Sequence, residues 1–174
     1  MPIVPDDKNW TWVLERDCPE CGFHADDWPR EQVGAGTRAQ GPAWADVLDR
    51  SDVGVRPTDD RWSPLEYGCH VRDVLRLYRY RLGLMLDQDD PLFPNWDQDV
   101  TAVEDRYAEQ DSVIVAAELS EAANELADAF DAVVAEQWAR TGRRSDGVAF
   151  TVESFARYFI HDPIHHLWDV SAAA

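Results

Sequence analysis

Basic residues are scarce in this 174-residue chain: 16 Lys and Arg stand against 34 Asp and Glu, for a formal charge of −18. Such a field repels a phosphate backbone or an anionic membrane surface unless the few cations cluster. They do not cluster, the longest basic run being Arg143-Arg144. Nucleic acid and membrane surfaces are poor partners, and the charge reads as solubility. Long hydrophobic runs are also missing, since no stretch reaches the roughly 18 apolar residues that a membrane-spanning helix needs. Met1 to Asn9 carries Pro and Asp where a secretory signal needs Lys or Arg followed by an apolar run. Cysteine is limited to Cys18, Cys21 and Cys69, an odd number and too few for a disulfide scaffold. A reducing cytoplasm is the expected setting. A Gly-rich phosphate loop, a Ser-His-Asp motif and a dinucleotide fingerprint are all lacking; Gly34-x-Gly36 has no preceding strand and no later glycine.

Aromatic residues are plentiful, with eight Trp, six Phe and five Tyr, each able to bury on the order of 150–250 Å². One domain over residues 1–174 is expected, with an irregular N-terminal arm over 1–28. Trp44, Val47 and Leu48 suggest a first helix ending near Arg50, although glycines at 34, 36 and 41 weaken helix across 30–50. Ser63-Pro64-Leu65-Glu66 marks a second helix, with an N-cap, a Pro at the first helical position and a Glu three residues past the cap. Tyr67, Val71, Val74, Tyr78, Leu82 and Met85 continue it at three- and four-residue steps to about Leu86. A long connection follows over 88–111, with a helical turn or two around Ala102 to Tyr107. Ala116, Leu119, Ala123, Leu126, Phe130 and Val133 predict a third helix over about 112–140. Arg143 to Gly147 reads as a turn. Thr151 then caps a fourth helix to about Val170, with Pro163 as a kink. Strand signals are thin, so the expected fold is all-α, an antiparallel four-helix bundle.

His161 and His165 stand at i and i+4 on the last helix, so their imidazoles project from one face about a turn apart. That is the spacing by which a helix offers two nitrogens to one ion. His70, at the edge of the second helix's core stripe, is the candidate third ligand. Three neutral imidazoles leave an open coordination position, as in catalytic zinc sites. His166 points about 100° away from His165 and reads as non-ligating. Asp162 stands where a metalloprotease motif has Glu, and Pro163 disturbs the next turn, so a zinc protease is disfavoured. Glu66 and Asp169 read as acceptors for ring nitrogens or as solvated surface charges. Cys18-Pro19-Glu20-Cys21 reads as a redox pair, as half of a zinc knuckle near His24, or as reduced cysteines in a folded-over arm. No second C-x-x-C exists to complete a site.

Four stretches resemble the DinB superfamily: the capped run Trp62 to His70, the pair His161-x-x-x-His165, and the phrases Asn95-Trp96-Asp97-Gln98-Asp99 and Thr151 to Tyr158. The last two look like a mycothiol-dependent, maleylpyruvate-isomerase-like branch. The resemblance implies a three-His divalent metal site, zinc or nickel, and transfer of a low-molecular-weight thiol such as mycothiol to a small electrophile. Tyr158 and Asp162 are then catalytic candidates, and Trp96, Asp97 and Arg106 candidates for binding the cosubstrate. A metal-dependent hydrolase and a non-catalytic metal- or ligand-binding bundle are the alternatives. A homodimer is a reasonable expectation for a bundle with exposed helix faces.

Overall fold

A computed structural model of the chain describes Ile3 and residues 9–172; residues 1–2 and 4–8 of the expected irregular arm lie outside the described residues. Among the described residues five α-helices form: α1 (Arg30–Leu48), α2 (Pro64–Asp87), α3 (Gln98–Glu104), α4 (Ser112–Asp131) and α5 (Val152–Ala172). The start of α2 follows from its sequence. Ser63 accepts from the Glu66 amide, and the Glu66 carboxylate accepts from the Ser63 amide and hydroxyl, both at 2.9 Å. Arg56 closes this capping box by reaching the same carboxylate through two nitrogens. Asp97 and Asp111 cap α3 and α4 by accepting from the second and third amides beyond them. At the far end of α2 the Arg140 guanidinium donates to the carbonyls of Met85 and Gln88 at 2.6 and 2.7 Å, satisfying groups the helix leaves unpaired.

The four long helices make a bundle whose neighbours are not consecutive in the chain: α1 packs on α4 and α5, and α2 packs on the same two. Helices α4 and α5 thus face each other across the core, where Phe130 meets Phe159 at 5.8 Å between ring centres. The glycines of α1 do not break it, because they are where it meets its surroundings most closely. A Cβ at Gly34 would stand 1.9 Å from an Asp131 oxygen, and one at Gly36 would stand 2.1 Å from the Trp28 ring. Packing outweighs the propensity cost of about 1 kcal/mol per glycine. Small residues on α4, Ala122, Ala123 and Ala127, complete the close approach.

Three expectations are corrected. Helix α4 stops at Asp131, and Ala135–Ala139 is a separate 3-10 turn. The segment around 143–147 is the tip of a hairpin, with β1 (Thr141–Arg143) antiparallel to β2 (Ala149–Thr151) and Gly142 opposite Phe150. A Cβ on Gly142 would meet Phe93 and Met85 within 2.9 Å, so the hairpin is pinned to the core and a larger residue is excluded there. The arm is not wholly irregular: Trp10–Leu14 and Ala25–Asp27 are 3-10 turns, and Val13, Cys18, Phe23 and Ala25 are buried. No helix among the described residues is long and apolar enough to cross a membrane.

Burial alone would raise the Glu66 carboxyl, but its bonds from Arg56 and Ser63 hold it below the ordinary glutamate value. The native state therefore binds fewer protons here than the unfolded chain, and the stabilisation is lost as pH falls through the folded value. Glu66→Ala is expected to cost about 2–3 kcal/mol at neutral pH and to flatten the acid limb of stability. Urea titrations of both proteins between neutral and acid pH check this.

Candidate metal centre

The start of α2 lies against the second half of α5 because the bundle makes them neighbours. His70, 1% exposed, projects from α2 into that contact between Trp62, at 5.3 Å between ring centres, and Trp96, which stacks on it at 5.7 Å and 16°. Helix α5 presents two pairs at i,i+4 spacing, offset by one residue. His161 and His165 form one pair; Asp162 and His166 form the other. The offset rotates one pair about 100° from the other, and the two pairs meet different partners.

His70 converges with Asp162 and His166, and the three offer ligand atoms that all lie within 4.8 Å of one another. The His70 Nε2 is 3.7 Å from Asp162 Oδ1, and the His166 Nε2 is 3.8 Å from Asp162 Oδ2. These separations are too long for hydrogen bonds. Both His70 ring nitrogens and Asp162 Oδ1 are buried and without a hydrogen-bond partner. Orphaned buried groups of this kind cost free energy, and a divalent cation shared by two imidazoles and a carboxylate satisfies Asp162 Oδ1 and one of the two His70 nitrogens.

The protonation pattern suits a ligand role. Burial pushes the Asp162 carboxyl up, but His166, His70 and His161 outweigh it and hold the group at about 2. Asp169 is likewise held below its ordinary value against burial, first by the hydrogen bond from His166. As a carboxylate it can only accept, so the 2.9 Å contact puts the proton on His166 Nδ1. In a neutral ring so oriented the Nε2 lone pair faces Asp162, the carboxylate–histidine arrangement seen behind metal ligands.

These groups open on a cavity of about 510 Å³. Tyr158, Trp96, Arg81 and Arg144 also line it. Arg81 is buried, with its Nε unpartnered and its guanidinium 5.4 Å from the Phe93 ring centre. Arg144 is neutralised by Asp146 and donates to the Tyr158 hydroxyl at 3.1 Å. Burial raises the Tyr158 phenol, so it keeps its proton.

The structure therefore divides the three expected histidines between two clusters. His161 and His165 stand together, but their neighbours are Cys18 and Cys21, again with ligand atoms within 4.8 Å of one another. Burial lowers the His161 imidazole to about 4, so it is neutral. His166, read from the sequence as non-ligating, belongs with His70; the signal was a second i,i+4 pair, Asp162-x-x-x-His166, one residue along. Trp96 and Tyr158 reach the cavity. Asp97 instead caps α3, and Arg106 is exposed, left-handed at φ 53° and paired with Glu109, so neither is among the described lining residues. Glu66 serves the capping box and does not orient His70.

The chain belongs to the DinB superfamily, whose model matches residues 35–170. A solved structure, YfiT from Bacillus subtilis, described as a probable metal-dependent hydrolase with an unusual four-helix bundle topology, shares the fold with a TM-score of 0.64. It is 18% identical, over 98% of this chain and 93% of that one. No curated protein matches.

Asp169→Asn should weaken binding of a divalent ion by roughly 10–100-fold without unfolding the bundle. Calorimetric titration with zinc or nickel beside thermal melts reads both effects, and unchanged affinity counts against the role given to Asp169.

Proposed function

We propose that this chain is a divalent-metal-dependent hydrolase of small anionic molecules, working in a reducing cytoplasm, with His70, Asp162 and His166 holding the ion. The observation that carries this reading is the buried, unpartnered donor atoms of His70 and Asp162, with His166 converging on them, at the wall of a cavity that also contains a buried arginine. A divalent ion supplies Lewis acidity toward a substrate oxygen and toward water. Arg81 binds the anionic group of the substrate, and little water competes for its guanidinium because the residue is only 7% exposed. Tyr158, protonated and already accepting from Arg144, donates its own hydrogen bond into the cavity. Trp62 and Trp96 hold the His70 ring in place and keep solvent from it.

A carboxylate with two imidazoles is the ligand type of His2Glu zinc hydrolases, and its oxygen donor favours a hard nucleophile over a soft thiolate. The description of YfiT agrees with this reading. Thiol transfer from mycothiol or a similar cosubstrate to an electrophile, implied by the family branch, is the competing activity for the same cavity.

The zinc- or nickel-loaded protein should hydrolyse members of a panel of anionic esters and amides with no thiol added. His70→Ala and Asp162→Ala should remove turnover. Arg81→Ala should raise KM for anionic substrates by about 10- to 100-fold and leave neutral isosteres nearly unaffected. Turnover that appears only when a low-molecular-weight thiol is present would replace the hydrolase reading with the transferase.

A further inference from the structure

The cluster of Cys18, Cys21, His161 and His165 plays no part in the proposed hydrolysis; His161 and His165 line the same cavity, but this donor set differs from that of His70, Asp162 and His166. It has two soft sulfur donors, two imidazoles and no carboxylate among its members. Cys18 is 1% exposed, His161 4% and His165 6%. The Cys18 Sγ lies 3.6 Å from His165 Nδ1. Ligands at zinc–sulfur and zinc–nitrogen bond lengths from one tetrahedral centre lie about 3.6 Å apart. On its other side, His165 turns Nε2 toward the Glu20 carboxylate at 3.3 Å, which aims Nδ1 at the sulfurs. The Nε2 of His161 is buried with no hydrogen-bond partner. Trp10 covers both imidazoles, at 5.3 and 4.9 Å between ring centres, and Phe23 packs edge-on against His161 at 5.0 Å.

The loop carrying the cysteines is folded for two sulfurs to face one point. Gly22, at φ +73°, makes the turn after Cys21. The Cys18 amide donates to the Phe23 carbonyl, and the Gly22 amide donates back to the Cys18 carbonyl, each at 2.9 Å. A side chain at position 22 would be strained by that backbone angle.

We propose that Cys18, Cys21, His161 and His165 bind one zinc ion in a closed Cys2His2 structural site that staples the N-terminal arm to α5. Binding releases the two thiol protons and leaves no coordination position for a substrate. The arm it holds is part of the cavity wall, because Trp10 and Glu20 line that cavity. The zinc therefore fixes one side of the pocket without taking part in its chemistry. His24, the other histidine near the cysteines, is bonded to Asp17 and stands outside the cluster.

The test uses full-length protein and does not depend on the cavity being catalytic. Cobalt replacement should produce a thiolate-to-cobalt charge-transfer band in the near ultraviolet, which the cavity donors cannot give. Cys18→Ser and Cys21→Ser should each abolish the band and remove about one equivalent of zinc; His70→Ala should keep the band, whatever it does to the other cluster. Should the serine variants fail to fold, the wild-type protein still decides: zinc should protect two thiols from maleimide, and a chelator should expose them. Cysteines alkylated equally fast with and without zinc, or a Cys18–Cys21 disulfide with no zinc uptake under reducing conditions, would overturn the proposal.

Discussion

The polar load on α5 constrains the rest of the molecule. This helix carries His161, Asp162, His165, His166 and Asp169 along little more than two turns, in a segment where both histidines of the first pair are nearly inaccessible to water. Each buried ring nitrogen or carboxylate oxygen must find a hydrogen bond, a counter-charge or an ion. The surrounding elements divide that task. The α2 helix brings His70 to one face, the N-terminal arm brings two thiols and Glu20 to the next, and Asp169 stands between them, 2.9 Å from His166 and 3.9 Å from His165.

The non-consecutive bundle order makes this division workable. Because α1 and α2 both pack on α4 and α5, the capped start of α2 lies beside the histidine-bearing half of α5. Its capping box is the same feature that places His70. Ser63 and Glu66 fix where the helix begins, and His70 follows one turn after Glu66 with its ring held between two tryptophans. The arm then closes the side of α5 that α1 and α2 leave uncovered.

Electrostatics shape what the cavity can take. A chain of net charge −18 attracts divalent cations and repels anions at long range, with screening over about 8 Å at physiological salt. An anionic substrate therefore needs a local cation that is not already neutralised. Arg144 is paired with Asp146, whereas the buried guanidinium of Arg81 is left with its Nε unpartnered.

Much of the fold was legible in local sequence. Ser63-Pro64-Leu65-Glu66 determined the start of α2, Thr151 that of α5, and the three- and four-residue apolar steps determined the core faces, because caps and helical periodicity are short-range physics. The helical glycines of α1 and the hairpin at 141–151 were not legible, since both depend on what packs against them. At the site, the sequence determined that α5 carries pairs of metal-ligating residue types at i,i+4, and it pointed to His70 as their candidate partner. It could not decide which pair His70 meets, because Asp162/His166 and His161/His165 have the same spacing and differ only by a 100° rotation. Only the packing of α2 on one face and the arm on the other sets that rotation. It brings Cys18 and Cys21 against histidines that lie more than a hundred residues away in sequence.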